Sequence, residues 1–554
     1  MTELLTAIAI IFIVAAPFLL LANRFNVTVA PLLIIAGIIA GLFIDAGTAL
    51  ELAQFGIALL VFMFGVSINF DTIHSILADS EFAAIGQIVV VGILGVILGV
   101  ILGVSYLEAT ILGVAAALSS TMVGTALLQT EIRMNLIRGR LGESIQFVQD
   151  LFAVGFILIL GAEVLELDPI VLQIGYGAVF IIAAVFVHRY VFGFISRLAA
   201  GSDELMIIGV ITLLAVFIGA AAFVEVPIVV GAFAAGLAVH YDPGAFPGLY
   251  NGLGSIKDFF VALFFATVGA LVVVPFVQLE FGESLEKLAL VLVLVFLAII
   301  VKPLVTTLLL VHRGFEARTA TLTGLSTDQI SEFSIIIAIE AFLLGLLADS
   351  VFDAIILAAA ITMITSTLTQ RYNEELYRFI ASIGLLSGSH EKIDQNSKVP
   401  DELTNHVIIV GFGRLGSSLI ATCEALDHPY VVIENDPALS EDLEDTCQAY
   451  VFGDAMEDYT WEKANGNAAE LIVSVTSSEV LSRALLARGF EPDLILRASD
   501  KQLAIEYLDN GATYVTVPDL LAAEQLITYL SALLEGELTA RELRELGNVE
   551  LESD

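Results

Sequence analysis

Thirteen apolar runs of about membrane-spanning length follow one another in the first 370 residues, and they limit the fold more than any other feature. About 20 apolar helical residues cross a bilayer core, where every backbone polar group must be satisfied within the protein. The runs are 4–21, 27–44, 51–67, 83–104, 109–129, 141–164, 169–188, 204–224, 228–240, 256–278, 286–311, 317–345 and 350–370. The sequence therefore predicts a polytopic α-helical membrane domain of about 13 transmembrane helices, in which the first run is retained rather than cleaved as a signal peptide.

Charges between the runs differ in sign on the two predicted sides of the membrane. The gaps after even-numbered runs are acidic, and Lys287 is their single basic residue: they hold Asp45, Glu108, Glu163, Glu166, Asp168, Glu225, Glu280, Glu283 and Asp349. The gaps after odd-numbered runs carry Arg24, Arg133, Arg138, Arg140, Arg189, Arg197, Lys257, Arg313 and Arg318. Basic residues in short loops stay in the cytoplasm, so we expect the N-terminus outside the cell (plasma) membrane and the residues after about 371 inside.

The sixth run contains an acid far from either of its ends. Asp150 follows Gln149 there, and an Asp near the centre of a membrane helix costs roughly 2.5 to 3.5 kcal/mol on insertion scales. Such a residue normally faces a protein interior or a water path and acts on ions or protons. Lys302, inside the eleventh run, is a second charge at this depth, and its pairing with Asp150 when no cation is bound would let an arriving cation displace it. We expect Asp150 to bind a proton or a monovalent cation, one at a time.

Two further runs are interrupted by polar residues, one in each half of the chain. The fifth run contains Ser119, Ser120 and Thr121, and the twelfth contains Asp328 and Glu332. Paired interruptions of this kind are typical of transporters, in which broken helices of inverted repeats meet at a midplane site. The freed carbonyls and the helix ends there are suited to holding a cation.

Simpler roles for the same residues stay open at this point. Asp150 can be a structural hydrogen-bonding group, and Lys302 can lock two helices together or extend toward the cytoplasmic end. The three hydroxyl residues of the fifth run can serve helix packing. Asp328 and Glu332 can cap the half-helices or pair with Arg140.

Residues 380–404 lose apolar periodicity and are interpreted as a linker, so that the chain divides into a membrane domain at 1–379 and a soluble domain at 405–554. The soluble domain begins with a strand, His406–Val410, which leads into GFGRLG at 411–416 and a helix. A second strand, Tyr430–Ile433, ends next to an acid. Further strands are expected at Ala449–Phe452, Leu471–Val475, Leu494–Ala498 and Tyr514–Val517, with helices between them and one or two charged helices at the end.

This arrangement is a dinucleotide-binding fingerprint, and it predicts an α/β Rossmann-like fold. Its glycines permit a tight turn and a close approach of the backbone to a pyrophosphate at the helix N-terminus. The candidate nucleotide-binding residues are Gly411, Gly413, Arg414, Leu415, Gly416, Glu434, Asn435, Asp454 and Ala455. An empty glycine turn and a turn-forming role for Asp454 are the simpler alternatives.

Net charge and cysteine content exclude some classes of function. The chain has a formal net charge of −38, and from Glu391 onward it holds 10 Lys and Arg against 32 Asp and Glu. Nucleic acid is therefore not expected as a partner. We expect instead that the protein has a strongly hydrated acidic surface. Cys423 and Cys447 lack metal-ligand spacing and are interpreted as reduced thiols.

Several motifs together resemble one family. They are ALSST at 117–121, Gly139-Arg140 followed by Gln149-Asp150, LFFATVG at 263–269, Lys302, GFGRLG at 411–416 and Gly453-Asp454-Ala455. With them the chain resembles the monovalent cation:proton antiporter-2 family, most closely Kef-type potassium efflux antiporters with a cytoplasmic RCK/KTN-type (TrkA-N) Rossmann domain. It departs from the family at QISEF (329–333), where the family has Gln-Gly-Gly-Glu-Phe, and around Ser67, where an acid is often found.

The resemblance implies a secondary-active antiporter, with K⁺ favoured, that works as a homodimer and carries its ion at Asp150. Gln149 stands where electrogenic relatives carry a second acid, which implies electroneutral exchange. The soluble domain is then a sensor for NAD(H) or AMP, which shifts the transporter between inactive and active states. Related glutathione-gated systems also bind a thiol adduct in this domain, and Arg497 is a candidate anion contact here.

Three other hypotheses about the function of the chain stay open. A Na⁺/H⁺ antiporter of the same fold would use the same residues. A nucleotide-gated potassium channel would need a selectivity filter, and Thr267-Val268-Gly269 is followed by Ala270 and Leu271, which does not continue one. A membrane NAD-linked oxidoreductase would need an acid/base group beside the glycine loop. We find none in the sequence, so an enzyme is not expected.

Overall fold

The computed structural model describes residues 2–25, 27–68, 78–133, 137–162, 167–199, 202–239, 247–382, 397–400, 403–436 and 439–544. The chain divides into two compact units, Met1–Arg313 with Thr319–Ile383, and Gly314–Arg318 with Gly384–Asp554. Most of the predicted linker, at 383–396 and 401–402, lies outside the described residues, as do Glu163 and Glu166.

Apolar helices form the first unit. In chain order they are α1 (Thr2–Phe25), α2 (Val29–Ala40), α3 (Ala46–Ser67), α4 (Ala78–Ile101), α5 (Tyr106–Ala117), α6 (Thr121–Leu127), α7 (Gln129–Arg133), α8 (Ile137–Leu160), α9 (Leu167–Phe186), α10 (Phe192–Ala199), α11 (Asp203–Phe223), α12 (Ile228–Leu237), α13 (Pro247–Ala270), α14 (Phe281–Phe296), α15 (Lys302–Arg313), α16 (Ala317–Leu325), α17 (Glu332–Leu343), α18 (Asp349–Arg371) and α19 (Asn373–Ser382).

Ten helices among the described residues are long and apolar enough to cross a membrane, and the predicted polytopic α-helical class is confirmed. Val29–Ala40 and Ile228–Leu237 are apolar but shorter, and the α16–α17 pair is interrupted. If these two helices and the α16–α17 pair also cross the membrane, the number of spans is thirteen. The count of thirteen stays a prediction. Small residues allow close packing between helices: a Cβ at Gly37 would lie 2.0 Å from the carbonyl oxygen of Ala266.

Two of the long helices contain a widened π turn. Val187–Val191 joins α9 to α10, and Leu297–Val301 joins α14 to α15, which makes Phe281–Arg313 one continuous helix. Pro303 follows the second π turn and has no backbone N–H to donate to the preceding turn. A local widening accommodates this, and it places Lys302 at the point where the α-helix resumes.

The two interrupted helices break where the sequence predicted. Leu118–Ser120 separates α5 from α6, and residues 326–331 separate α16 from α17. Each second half begins at a serine N-cap: the hydroxyl of Ser120 accepts from the N–H of Val123 at 3.1 Å, and that of Ser331 from Phe333 at 3.0 Å. These caps satisfy backbone donors that would otherwise be orphaned inside the protein.

The second unit is a parallel α/β domain, as predicted. Its strands are β1 (Val407–Val410), β2 (Tyr430–Glu434), β3 (Tyr450–Phe452), β4 (Leu471–Ser474), β5 (Asp493–Arg497) and β6 (Tyr514–Thr516). The helices are α20 (Arg414–Ala425), α21 (Ser440–Thr446), α22 (Asp458–Lys463), α23 (Glu479–Arg488), α24 (Lys501–Asp509) and α25 (Pro518–Glu535). The sheet order is β3-β2-β1-β4-β5-β6, so the strand order reverses beside β1, where doubly wound sheets bind ligands.

Candidate functional site

The two interrupted helices meet at their breaks. The N–H of Ser331 donates to the carbonyl of Leu118 at 3.2 Å, and the hydroxyl of Ser119 donates to the carbonyl of Thr327 at 3.0 Å. Each break thus satisfies backbone groups that the other break has freed from its own helix. We call the residues 118–121 and 326–332, with the side chains that contact them, the crossing.

Asp150 of α8 faces the crossing and is fully buried. The hydroxyl of Thr121 donates to its Oδ2, while its Oδ1 has no hydrogen-bond partner. Beside it, Oε1 of Gln149 accepts from the N–H of Ser119 at 2.8 Å, and its Nε2 is without a partner. The carboxyl that the sequence singled out therefore lies against the first break with one oxygen still available to a ligand.

Glu332 joins the second break to the first. Its Oε2 accepts from the hydroxyl of Ser120 at 2.5 Å, and its Oε1 from the N–H of Met122 at 3.2 Å. The carboxylate thereby caps the N-terminus of α6, where the helix dipole favours negative charge. It also lies near enough to Asp150 for the two carboxyls to interact electrostatically.

Lys302 reaches the same crossing from α15. Its Nζ donates to the carbonyl of Leu118 at 2.9 Å and to that of Gln329 at 2.7 Å, and neither bond goes to Asp150. Leu118 is the C-cap of α5, so the ammonium lies at an end of a half-helix that carries partial negative charge. Pairing of Lys302 with Asp150 stays a prediction.

Asp328 is fully buried in the second break, and neither of its carboxyl oxygens has a hydrogen-bond partner. Lys302 is close enough to interact with it electrostatically, and the hydroxyl residues Ser366 and Thr369 are its neighbours. The crossing therefore contains three buried carboxyl groups and one buried ammonium. Such an excess of acid, far from bulk water, is stable only when protons or cations neutralise part of it.

The sequence interpretation missed two groups of buried polar residues. Gln146, four residues before Asp150, is fully buried, and neither of its amide atoms has a partner. Its position on the face that carries Asp150 was a signal in the sequence. Lys287, assigned to a loop from the sequence, is buried on α14, where its Nζ bonds the carboxylate of Asp353 at 2.5 Å and the carbonyl of Val273 at 2.9 Å.

In the soluble unit, the glycine loop has the geometry that the motif predicts. Gly411 has φ +106°, which favours glycine, and a Cβ at Gly416 would lie 2.2 Å from the carbonyl oxygen of Gly411. Gly413 is the N-cap of α20, and a Cβ there would meet no atom within 4 Å. Two glycines are thus required by the fold, and the third faces open space at a helix N-terminus, where phosphates bind.

Glu434 ends β2 beside this loop. Its Oε2 accepts from the N–H of Phe412 at 2.8 Å, and its Oε1 from those of Asn435 at 2.8 Å and Asp436 at 3.0 Å. Burial raises the pKa of the Glu434 carboxyl, although these three donors oppose the rise. Oε2, which accepts from a single N–H, keeps a lone pair that can accept from a ribose hydroxyl.

The remaining predicted contacts lie at the same edge of the sheet, at or after the ends of β1, β3 and β5. Arg414 and Leu415 are exposed on the first turn of α20. Asp454 is buried and accepts from the N–H of Met456 at 2.9 Å, so it forms a turn, and Ala455 next to it is buried as well. Arg497, at the end of β5, donates to the carbonyl of Val475 at 3.4 Å.

No group of three or more His, Cys, Asp or Glu side chains within the described ranges is placed to hold a metal ion. Oxygen groups are nevertheless concentrated at the crossing, where carboxyls, hydroxyls and backbone carbonyls lie together. Hard monovalent cations bind to oxygen, so the chemistry of the crossing is suited to an alkali ion or a proton.

Comparison with known proteins identifies the family of each domain. The family model "Sodium/hydrogen exchanger, transmembrane" matches residues 8–371, and the "TrkA-N domain" model matches residues 407–518. YbaL of Escherichia coli (strain K12), whose name describes a cation/proton antiporter, is 28% identical over 97% of this chain and 99% of its own length. KefC of Klebsiella pneumoniae, a glutathione-regulated potassium-efflux system protein, is 25% identical over 92% of this chain and 80% of its own.

A solved structure resembles the membrane unit. The sodium proton antiporter MjNhaP1 from Methanocaldococcus jannaschii superposes with a TM-score of 0.55 at 14% identity, over 70% of this chain and 100% of its own. At this identity the likeness shows the fold. The first family model covers more than half of the chain, which therefore belongs to the sodium/hydrogen exchanger transmembrane family and carries a TrkA-N domain after its membrane domain.

Proposed function

We propose that this cation/proton antiporter exchanges one monovalent cation, with K⁺ favoured over Na⁺, for one proton at Asp150, and that the exchange is electroneutral. The observation that carries the proposal is the available Oδ1 of a fully buried aspartate at the meeting point of two interrupted helices. A carboxylate there binds a cation or a proton, but not both, and that competition couples the two fluxes.

The neighbouring side chains are assigned supporting roles. Gln149, held by the N–H of Ser119, cannot take a proton, so Asp150 is the member of this pair that can titrate during exchange. Thr121 supplies a hydroxyl that bonds Asp150, and Ser120 supplies one that bonds Glu332 of the same crossing. Because Gln149 takes the place of a second acid beside Asp150, the pair offers one carboxyl, which supports one-for-one stoichiometry.

Charges from the second break complete the site. Glu332 holds the two breaks together as a cap, and Asp328 contributes a further negative charge. Lys302 is held only by neutral carbonyls, so its ammonium is the group that can turn toward Asp150 when no cation is bound. An arriving cation then displaces it.

Transport follows by movement of the helices that bear the site against the rest of the membrane domain, so that the site opens to one side at a time. We propose a homodimer in the plasma membrane, with the N-terminus outside and the soluble domain in the cytoplasm. The membrane domain is 1–379, the linker 380–404 and the regulatory domain 405–554.

For the soluble domain we propose regulation by NAD(H) or AMP. The glycine turn, the helix N-terminus at Gly413 and the acid Glu434 form the three parts of a dinucleotide site, and Asn435, Asp454 and Ala455 border it. A nucleotide that binds one transport state more tightly than the other shifts the balance between them by that difference in affinity.

Exchange in proteoliposomes tests the transport proposal. An imposed K⁺ gradient should change lumenal pH without a net current in the wild type, and Asp150→Asn should abolish the change while the protein stays folded. Asp168→Asn, the same substitution at an exposed acid, is the matched control and should exchange normally. Normal exchange by Asp150→Asn would falsify the coupling role, and Na⁺ gradients run in parallel decide the selectivity.

Nucleotide binding is tested at Gly413, because a side chain there meets no atom of the domain and its φ of −75° is open to valine. Gly413→Val should therefore fold normally yet lose binding of NADH, NAD⁺ and AMP in an equilibrium titration, since valine occupies the space of the pyrophosphate. Equal binding by both proteins would overturn the assignment of the glycine loop.

A further inference from the structure

A polar stripe runs along one face of α8 toward Asp150. Glu143, Gln146 and Asp150 follow one another at spacings of three and four residues, which puts them on the same side of a helix. Glu143 is exposed, while Gln146 and Asp150 are fully buried. The stripe therefore leads from the surface, through a buried amide, to the carboxyl of the crossing.

Gln146 is the unexplained member of the stripe. Neither its Nε2 nor its Oε1 has a hydrogen-bond partner. Gln87 on α4 is buried to the same degree, but its Nε2 donates to the carbonyl of Ala117 at 2.8 Å and its Oε1 accepts from Thr306 at 2.6 Å. A buried amide without partners is destabilising by about 1–3 kcal/mol, so at Gln146 the fold retains a group that protein contacts do not satisfy.

The half-helix α6 makes room for this amide. It runs antiparallel to α8, because Thr121 bonds Asp150 while Gly124 lies against Gln146. A Cβ at Gly124 would lie 2.0 Å from the Nε2 of Gln146, so any residue larger than glycine there would displace the glutamine side chain. Gln146 thus lies beside the half-helix that begins at the first break, one helical turn from the carboxyl of Asp150.

We propose that the carboxamide oxygen of Gln146 is a further ligand of the transported cation, which it shares with or passes to Asp150. The inference rests on the exchange function proposed above and deepens it. Side chains one turn apart have Cβ atoms about 5–6 Å from each other, a span that a cation held between two oxygens can bridge. The amide oxygen replaces a water of the ion's hydration shell.

The carboxamide of Gln146 does not titrate at the pH values of an exchange assay, so Gln146 acts on the cation and not on the proton. This gives a readout that a structural role would not produce. Gln146→Met keeps the length of the side chain and removes its oxygen. We expect its apparent KM for the cation to rise roughly tenfold, equivalent to about 1.4 kcal/mol of cation binding, with the pH midpoint of exchange unchanged.

Thermal stability supplies the second readout. Because Gln146 has no partner to lose, the midpoint of thermal unfolding of Gln146→Met should equal or exceed that of the wild type. Gln173→Met is the matched control: its Nε2 donates to the carbonyls of Gly161 and Glu225, both at 3.2 Å. That variant should unfold at a lower temperature and keep the wild-type KM.

The outcomes separate this inference from the proposed function. If the wild type catalyses no cation/proton exchange, the proposed function fails. If the wild type catalyses exchange and the KM values of Gln146→Met for K⁺ and for Na⁺ equal those of the wild type, the inference alone is overturned. A lower unfolding temperature with an unchanged KM also overturns it, since the glutamine is then structural.

Discussion

Two buried lysines on one continuous helix, Phe281–Arg313, have different surroundings. Lys287 bonds the carboxylate of Asp353 at 2.5 Å, so its charge is compensated inside the protein. Lys302, beyond the π turn, bonds only two neutral carbonyls, those of Leu118 and Gln329. The first lysine joins α14 to α18, and the second lies where the half-helices meet.

This difference favours Lys302, rather than Lys287, as the charge with a role in the proposed exchange. An ion pair in a dry interior has one arrangement of low energy, because separating its members leaves an unpaired charge. An ammonium held by carbonyls keeps its charge uncompensated by any bonded partner, so it responds to the charge of Asp150 and of whatever binds there. We therefore interpret Lys287 as a structural lock and Lys302 as a member of the proposed site.

The largest effect on stability is expected from breaking the lock. Lys287→Met leaves Asp353 buried without its partner, which should lower the free energy of unfolding by about 3–5 kcal/mol. Thermal unfolding in detergent measures the loss. The double variant Lys287→Met/Asp353→Leu should regain most of the stability and exchange cations normally, since an apolar pair replaces the ion pair. A double variant that is folded but inactive would contradict the structural role.

Local patterns in the sequence were sufficient to predict the strands of the soluble unit, whose ends lie within one residue of those expected. The two helix breaks were also predictable, because hydroxyl and acidic residues interrupt apolar runs there. Strand alternation and glycine turns are encoded by neighbouring residues, so a short window is enough to recognise them.

The partners of the buried charges were not predictable in the same way. Lys302 bonds a backbone carbonyl 184 residues away in the chain, and a carbonyl has no signature in the sequence. Lys287 was counted with the gap before the eleventh run, at whose edge it lies, but the helix begins six residues earlier, at Phe281. Long-range pairing and helix ends depend on packing, which a single sequence does not specify.

Replacing Lys302 is expected to affect stability less, and transport more, than replacing Lys287. Lys302→Met leaves the carbonyls of Leu118 and Gln329 without a donor but no longer buries an ammonium, so a net loss of about 1–3 kcal/mol is expected. Exchange should fall by more than about tenfold, because no cation then replaces the transported ion at Asp150. If Lys302→Met exchanged at the wild-type rate, Lys302 would be a second structural lock, and the functional contrast between Lys287 and Lys302 would be wrong.

The smallest effect is expected from Lys302→Arg. A guanidinium keeps the positive charge and has donors for both carbonyls, so exchange should continue at a rate reduced only by the extra volume in a packed site. Arginine stays protonated across the whole range of the assay, which makes the pH profile the decisive measurement. Because the transported proton is assigned to Asp150, the midpoint of exchange against pH should match that of the wild type. A midpoint displaced by about one pH unit or more would place the lysine ammonium itself in the proton cycle.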